Sequence, residues 1–228
     1  MVAVKKYSLK DKKYFDFAEE YRRFGMAPVS DNLLVARQFI DLMNWTILKM
    51  NVDNFTFTCG KNGYAIYADR VQLAKICDGR LIKLLVPGIV KQDAQFTDFL
   101  GSTGVEYVVT AGFPDMVHAG SDFLKYAYDL KHLYIPKVQD FGQDGLRHAQ
   151  IERLEMQSVV NTGKGFLQDN DTLTSIDAPR WRSMGDKTLY SNAILDPDNV
   201  NAPKLIEVGS LCSDVFYEIM RQNQRKQK

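Results

Sequence analysis

A repeated pattern in the middle of the chain constrains the fold more than any other feature of the sequence. Segments that begin at Leu130, Ile151 and Leu173 share an apolar-x-x-apolar-x-apolar opening, and their starts lie 21 and 22 residues apart. Each segment then carries a glycine and a leucine at fixed places, namely Gly142 and Leu146, Gly163 and Leu167, and Gly185 and Leu189. Self-similarity at a period of roughly 20–50 residues is typical of solenoids, in which neighbouring units stack on one another.

Weaker copies extend the repeat in both directions. They begin at Val52, Leu81, Val105 and Leu205. Apolar and polar residues alternate after the opening, which predicts a strand with one buried face, and Pro87, Pro136 or Pro179 helps to end its pairing. A turn and a short helical or irregular leg then return the chain, so that successive strands lie parallel. We therefore predict an α/β solenoid whose parallel sheet has about six or seven short strands.

Helices are predicted at both ends, because a terminal unit would otherwise expose its apolar face. One amphipathic pattern covers residues 9–24, a second follows Ser30 as its N-cap, and a third begins at about Ser213. The predicted organisation is an N-terminal helical cap over 1–50, a repeat solenoid over 51–212, and a C-terminal capping helix with a basic tail over 213–228. The segment 192–204, rich in Pro, Asp and Asn, is predicted to be an inserted surface loop, with or without a function of its own.

Charge and hydropathy exclude several classes of partner. Lys and Arg number 29 and Asp and Glu 28, so the net charge of +1 lacks the basic field of a nucleic-acid-binding protein. No apolar stretch reaches the roughly 18 residues that span a bilayer, and no apolar core of a signal peptide follows the first lysines. We expect no nucleic-acid partner, no membrane span, and a monomer or weak homo-oligomer that is cytoplasmic or exported without a classical signal peptide.

No motif in the sequence predicts a cofactor or a metal. The stretch VNTGKGFL, residues 160–167, departs from the spacing of a phosphate-binding loop, and its Gly163 recurs as a turn residue or a point of tight backbone approach. The cysteines, Cys59, Cys77 and Cys212, are expected to be buried reduced thiols rather than a disulfide framework. The histidines, His118, His132 and His148, lie at no zinc-ligand spacing.

The outward side of the predicted strands is the candidate contact surface. If the register of the repeat holds, two residues on each of five neighbouring strands point outward. They are Lys83 and Leu85, Tyr107 and Val109, His132 and Tyr134, Arg153 and Glu155, and Ser175 and Asp177. Tyr and Arg are enriched in the hot spots of protein interfaces, because they combine a large contact area with a polar group. We predict a non-enzymatic module that binds a protein of unknown identity through this face.

An alternative from another class is a hydrolase on the same face. Glu152, Glu155 and Asp177 could meet across adjacent strands, and paired carboxylates can act as general acid and base. Arg153 stands between two of these acids in the sequence, which favours a solvated ladder of charges instead. A deep pocket lined by the acids would support the hydrolase, and a shallow open face would support the binding module.

The repeat resembles leucine-rich repeats, and more narrowly the BspA-like class found in many bacterial and some protist proteins. The unit of that class runs roughly L-x-x-I-x-I-P-x-x-V-x-x-I-G-x-x-A-F. Its best matches are LKHLYIPKVQDFGQDGL from Leu130 and LTSIDAPRWRSMGDKTL from Leu173. The chain departs from the class at the A-F pair, where it has Gly145-Leu146, Phe166-Leu167 and Thr188-Leu189. The resemblance implies recognition of a protein or a surface rather than catalysis.

Overall fold

The structure is a computed structural model. It describes residues 3–8, 18–19, 22, 33–50, 54–60, 63–78, 80–92, 100–101, 105–192 and 194–226. The helices whose bounds lie within the described residues are α1 (Leu33–Lys49), α2 (Asp214–Lys226) and a short 3-10 helix over Pro197–Asn199; Ala18, Glu19 and Arg22 are helical as well. The strands are β1 (Ala3–Ser8), β2 (Asn54–Gly60), β3 (Gly63–Ala68), β4 (Val71–Cys77), β5 (Arg80–Leu85), β6 (Thr110–Gly112), β7 (His118–Ala119), β8 (His132–Tyr134), β9 (Asp140–Phe141), β10 (Arg153–Glu155), β11 (Asn161–Thr162), β12 (Ser175–Asp177), β13 (Ser183–Met184), β14 (Val200–Asn201) and β15 (Glu207–Val208).

The first five strands form an antiparallel meander rather than the parallel unit predicted from Val52, which itself lies outside the described residues. Asp69 and Asp78, each the first residue after a strand, have φ of 49°, the left-handed conformation of tight hairpin turns. Such turns connect neighbouring strands through very short loops, so the strands run in opposite directions. The parallel arrangement therefore begins only where β5 pairs with β6.

Helix α1 contributes to the same apolar core as the meander. Its buried residues Phe39, Leu42, Met43 and Ile47 recur at helical spacing, and they belong to one cluster with the strand residues of β2 and β3. The extent of this helix agrees with the helix predicted after Ser30. Ser30 itself and most of the helix predicted over 9–24 lie outside the described residues.

From β6 onward the chain winds as a solenoid of about four turns, with one short strand on each of two sides of every turn. We call one turn a rung. The first ladder contains β5, β6, β8, β10, β12 and β14, and the second ladder contains β7, β9, β11, β13 and β15. All strand pairings within these two ladders are parallel, and the antiparallel pairings belong to the meander. The register confirms the predicted stacking of Leu154 on Ile176, which are Cα partners, whereas Leu133 on β8 pairs with Ala111 and not with Leu154.

A chain of aromatic rings runs along the interior of the solenoid. Successive ring centroids lie 4.7–6.2 Å apart, in edge-to-face or tilted arrangements. The rings belong to Phe113, Phe123, Phe141, Phe166, Trp181 and, from α2, Phe216. Aromatic pairs at such distances are stabilising beyond the area that they bury, so this chain links every rung to the next through the core.

The repeated glycines lie where the backbones of adjacent rungs come closest. A Cβ atom on Gly163 would stand 2.6 Å from the carbonyl carbon of Gly142, and a Cβ on Gly185 would stand 2.6 Å from that of Gly163. None of these three has a positive φ. Of the two predicted reasons for the glycines, close backbone approach is therefore the correct one.

The third side of each rung, which returns the chain from the second ladder to the first, is a series of turns and not a helix. Residues in the left-handed region alternate along it, as at Asp144, Leu146 and His148. Backbone hydrogen bonds run from rung to rung here as well, with the Leu146 N–H donating to the Phe123 carbonyl at 2.8 Å and the Leu167 N–H to the Gly145 carbonyl at 3.0 Å. Neighbouring rungs are thus joined on three sides, except that β8 and β10 do not pair in the first ladder.

The end of the solenoid differs from the sequence prediction in one respect. Segment 192–204 is more than an inserted loop, because it contains β14, whose Val200 is the Cα partner of Ile176. The spacing to this partner is 24 residues, against 22 from Leu154 to Ile176, so the insertion amounts to about two residues.

Helix α2 lies against the last rung, where a helix was predicted. Phe216 is fully buried, and Val215 and Ile219 pack against the core. Asn223, also buried, donates from Nδ2 to the carbonyl oxygens of Ala202 and Leu205, at 3.0 Å each. These bonds fix the second half of the helix to the chain that surrounds β14.

Candidate protein-binding face

The outward residues of the first ladder form two rows, one on each side of a central apolar row. One outer row contains Lys83, Thr110, His132, Arg153 and Ser175, and the other contains Leu85, Gly112, Tyr134, Glu155, Asp177 and Asn201. We call these two rows together the strand face. Eight of the ten residues predicted from the sequence belong to it.

Tyr107 and Val109 do not belong to the strand face. The unit that contains them is shifted by three residues from its predicted register, so that Thr110 and Gly112 take their positions. Tyr107 instead lies under Arg80, whose Cζ stands 4.4 Å from the ring centroid. Val109 is a backbone link, since its N–H donates to the Ile82 carbonyl at 2.9 Å and its carbonyl accepts from the His132 N–H at 3.1 Å.

One signal in the sequence gives the correct register. Every rung but one has a proline two residues after the last strand residue of the first ladder. These prolines are Pro87, Pro114, Pro136, Pro179 and Pro203, with Gln157 as the exception. Aligning Pro114 with Pro87 and Pro136 would have placed Thr110 and Gly112 on the strand face.

We call the strands β5, β6 and β8 the left part of the strand face. The row of Leu85, Gly112 and Tyr134 is apolar here, and one of its side chains covers a neighbour. The Leu85 side chain lies over Gly112, where an added Cβ would stand 2.7 Å from Leu85 Cδ1. Tyr134 follows in the same row with 59% of its surface exposed, more than any other large apolar or aromatic residue in the described part of the chain. This tyrosine is the most accessible aromatic residue that the face offers.

The first ladder is interrupted between β8 and β10. The strands β6 and β8 are paired, as are β10 and β12, yet β8 and β10 form separate sheets. An open groove of about 430 Å³ lies at the interruption, and its lining includes His132, Leu133, Tyr134, Arg153 and Glu155. We call this groove the slot. Further lining residues are Thr110, Ala111, Lys131 and Glu152.

The rungs on either side of the slot remain joined elsewhere. At the corner beyond the strands, the Val160 N–H donates to the Gln139 carbonyl at 2.7 Å, and β9 pairs with β11 in the second ladder. On the third side, the His148 N–H donates to the Gln168 carbonyl at 2.9 Å. The slot is therefore a local opening of the strand face rather than a break in the solenoid.

The leg that leads into β10 is short by one residue. From the start of one strand to the next, 13 residues separate Asp140 from Arg153, whereas 14 separate His118 from His132 and Asn161 from Ser175. The slot opens at the rung with the shortened leg.

The strands β10, β12 and β14, which form the right part of the strand face, carry charged and amide side chains. Asp177 accepts hydrogen bonds from Gln157 Nε2 at one carboxylate oxygen and from Asn201 Nδ2 at the other, both at 2.6 Å. Arg153 and Glu155 are exposed, and neither forms a side-chain hydrogen bond or ion pair with the described residues. Their charges are consequently available to a partner.

The three acids of the hydrolase alternative are not gathered in one cavity of the described chain. Glu152 and Glu155 line the slot together with Arg153. Asp177 lines a neighbouring open groove with Glu155 and Asn199. Because both oxygens of Asp177 already accept hydrogen bonds, this carboxylate is held in place rather than presented to a substrate.

Two of the three histidines, His118 and His148, contact side chains of adjacent rungs. His118 pairs through Nδ1 with Asp140 on the next strand of the second ladder. His148 stacks on Tyr126 with ring centroids 5.3 Å apart, on the third side of the solenoid. His132, as predicted, points outward from the strand face and is exposed.

Among the described residues there is no metal-ligand cluster, no membrane-spanning helix and no disulfide. No group of three or more His, Cys, Asp or Glu side chains is placed to hold a metal ion. Neither helix combines the length and the apolar character needed to cross a bilayer. All three cysteines are free thiols. Cys212 is buried, as predicted, whereas Cys59 and Cys77 are only half-buried, contrary to the prediction.

An ion pair and a backbone hydrogen bond stabilise the corner that follows the left part of the face. Asp115 accepts from Lys137 Nζ at 2.8 Å and from the Gly88 N–H at 2.9 Å, so it joins three successive rungs. These two hydrogen bonds, that of Lys137 first, lower the pKa of the Asp115 carboxyl below its ordinary value of 3.8. These bonds therefore stabilise the corner of the solenoid next to β5, β6 and β8.

Comparison with protein-family models gives no match to this chain, and comparisons with curated proteins and with solved structures give none either.

Proposed function

We propose that the protein is a non-enzymatic module that binds a partner protein through the strand face. The observation that carries the proposal is the open slot, which places the exposed Tyr134 beside the unpaired charges of Arg153 and Glu155. Aromatic and Arg side chains at the centre of a concave surface are typical of interface hot spots. The slot is also continuous with the rest of the strand face, which supplies a polar rim.

The second ladder offers less to a partner, because four of its outward side chains bond to one another. His118 contacts Asp140, and the Ser183 hydroxyl donates to Asn161 Oδ1 at 2.8 Å. A partner would have to replace these bonds before gaining its own. The contrast between the two ladders favours the strand face as the binding surface.

We further propose that the solenoid belongs with leucine-rich repeats of the BspA-like class and that α1 and α2 cap its two ends. The repeat of about 22 residues, the proline after five of the six strands of the first ladder and the glycine column support the class. The burial of Phe216 against Trp181 supports the cap role of α2, since it covers apolar surface that a further rung would otherwise cover.

The hydrolase alternative has less support than binding. A general acid and base need carboxyl groups free to exchange protons with a substrate, and the Asp177 carboxylate is occupied by Gln157 and Asn201. Glu152 and Glu155 remain as a pair of surface acids at the slot. An Asp177→Asn variant that retained full activity in any hydrolase assay would remove Asp177 from that alternative.

Site-specific photo-crosslinking in cells that naturally produce the protein tests the binding proposal. A photoreactive phenylalanine analogue replaces Tyr134 in one variant and Tyr190, which is 47% exposed, in a control variant. We expect Tyr134 to yield a discrete crosslinked protein that Tyr190 does not. That protein, once purified, should bind the wild-type chain and lose at least about tenfold in affinity with Tyr134→Ala or Arg153→Glu. Unchanged affinity in both variants would exclude the strand face.

A further inference from the structure

At the slot, β8 and β10 lie farther apart than the paired strands of the first ladder do. Most Cα pairs between β8 and β10 lie more than 8 Å apart. A strand inserted between two others needs two successive steps of a ladder, about 9.5 Å in all. No strand of the described residues occupies this place. Because the rungs are joined at both flanking sides, the opening exposes the strand edges without disconnecting the solenoid.

Both walls of the slot present backbone groups that a strand can bind. The Tyr134 carbonyl accepts from the Phe113 N–H at 2.8 Å, so the backbone groups of Tyr134 point to β6. Successive residues of a strand direct their N–H and C=O groups to opposite sides, and Leu133 therefore directs its groups into the slot. The Met156 N–H donates to the Asp177 carbonyl at 2.7 Å, which by the same alternation turns the groups of Arg153 and Glu155 toward the slot.

The slot-facing backbone groups of Leu133, Arg153 and Glu155 have no hydrogen-bond partner within the described ranges. An exposed strand edge of this kind is a template for pairing with another chain. Here two such edges face each other across the slot. An added strand would gain hydrogen bonds on both sides, as a central strand of a sheet does.

The side chains along the walls define what such a strand would carry. In the central row, Leu133 and Leu154 are half-buried and buried, so an aliphatic residue between them would extend the core. In one outer row the neighbours are His132 and Arg153, which favour an acidic residue. In the other row the neighbours are Tyr134 and Glu155, which favour a basic residue through an ion pair and a cation–π contact.

We infer that the slot binds an extended segment of a partner protein as an added parallel strand with the sequence order acidic, aliphatic, basic. The inference rests on the proposed function and specifies its partner. The aliphatic residue would donate its N–H to the Arg153 carbonyl and accept at its carbonyl from the Glu155 N–H. The Leu133 N–H would donate to the carbonyl of the acidic residue, and the Leu133 carbonyl would accept from the N–H of the basic residue. Strand addition of this kind is a general mode of peptide recognition.

The test uses the full chain and a fluorescent nonapeptide with Glu-Val-Arg at its centre and Ser and Thr residues on both sides. Two control peptides have the order Arg-Val-Glu, or the original order with an N-methyl group on the valine nitrogen. Fluorescence polarisation should show saturable binding of the first peptide. We expect each control to bind at least about fivefold more weakly, because one mismatches two charged rows and the other lacks the hydrogen bond to Arg153.

A charge-swapped protein separates strand addition in the slot from adsorption elsewhere. In the double variant Arg153→Glu with Glu155→Arg, the preference should invert in favour of the Arg-Val-Glu peptide. The matched control swaps Arg182→Glu with Glu207→Arg, two exposed residues beside the second ladder, and should leave the original preference unchanged. Both double variants keep the net charge of the chain.

Hydrogen exchange identifies the site directly. On binding the Glu-Val-Arg peptide, the amides of Leu133 and Glu155 should gain protection, while that of Leu154, which faces β12, should change little. Equal binding of the two charge orders, absence of binding, or protection elsewhere would overturn the inference. Self-association of the chain that the charge swap abolishes would also overturn it, because the slot would then hold a second copy. Failure of the peptide with success of the crosslinking at Tyr134 would leave the proposed function standing without strand addition.

Discussion

The hydroxyl of Ser158 donates a hydrogen bond to the carbonyl oxygen of Pro136 at 2.8 Å, directly at the corner that closes one end of the slot. The bond joins the rung of β8 to the rung of β10, the two that separate on the strand face. We expect Ser158→Ala to lower the free energy of unfolding by about 1 kcal/mol, because a half-buried carbonyl group loses its donor. Urea denaturation followed by circular dichroism measures this change.

Ser175→Ala is the control for that experiment. Ser175 lies on β12, and its hydroxyl forms no hydrogen bond in the described part of the chain. Its replacement should change the urea midpoint by less than half as much. Equal effects of the two alanines would show that the Ser158 bond contributes nothing specific to the corner.

The glycine column is predicted to tolerate no side chain. Gly163→Ala would place a Cβ atom 2.6 Å from both the carbonyl carbon and the carbonyl oxygen of Gly142, so the rungs would have to move apart. Gly60→Ala is the matched control, because the nearest atom to its Cβ is 3.9 Å away. We expect a loss of about 1–3 kcal/mol for the first variant and little change for the second, in urea titrations run side by side.

Similar losses for Gly163→Ala and Gly60→Ala would contradict the close approach of the rungs. A shift of the slope of the urea transition in Gly163→Ala, with no change in its midpoint, would point instead to an altered unfolded state.

The sequence was sufficient to predict the stacking of the rungs from residue 130 onward. The alternation around Leu154 and Ile176 predicts which side chains point inward, because a slip of one residue would reverse every side chain. The unit at 105 was misplaced because Val105 and Val108 both fit an apolar start; both are fully buried. Pro114 resolves the ambiguity, since a residue without an N–H has a restricted place beside a strand.

The meander at the N-terminal end was not predicted, because the weak repeat pattern from Val52 conflicts with the local turn signals, and the turn signals are the correct ones. Asn62-Gly63 and Asp78-Gly79 are strong hairpin signals when alternating apolar residues flank them. The slot is a different case. The repeat shows a leg shortened by one residue before Arg153, but whether the ladder opens there depends on how the surrounding rungs pack, which sequence spacing does not determine.

Loss of the Trp181 ring, which stands between Phe166 and Phe216 in the aromatic chain of the core, is predicted to lower the free energy of unfolding by a large amount. Trp181 is fully buried, contacts Phe166 and Phe216, and donates from Nε1 to the Ser183 carbonyl at 3.1 Å. We expect Trp181→Ala to cost about 3–5 kcal/mol of unfolding free energy, measured by thermal or urea denaturation. Tyr190→Ala, at an exposed position of the same rung, should cost far less; a comparable cost would exclude the central role of Trp181.

The Asp115 carboxyl should make stability depend on pH in the acidic range. Its folded pKa is lowered by the hydrogen bonds from Lys137 and from the Gly88 N–H. A lowered folded pKa stabilises the protein above the unfolded value of about 3.9, and this contribution is lost as pH falls through the lower, folded pKa. The difference in unfolding free energy between wild type and Asp115→Asn should therefore be constant near neutral pH and shrink toward pH 2–3.

The control for the pH series is Asp171→Asn, whose exposed carboxyl accepts no hydrogen bond from the described residues. Its difference from wild type should vary less with pH than that of Asp115→Asn. A difference for Asp115→Asn that stayed flat across the acidic range would mean that the bonds to Lys137 and Gly88 do not persist in solution.

Cys212 is predicted to react with alkylating agents more slowly than the other two thiols. Burial, with a smaller contribution from the negative charge of Asp186, raises the pKa of the Cys212 thiol, and its Sγ–H donates to the Gly185 carbonyl at 3.3 Å. The thiolate is the reactive form, so both the small thiolate fraction and the burial slow the reaction. Iodoacetamide labelling of native protein at pH 8, followed by peptide mass spectrometry, should modify Cys59 and Cys77 first. Labelling in urea should modify all three at similar rates, and native labelling of Cys212 at the rate of Cys59 would show that the Cys212 thiol is not buried in solution.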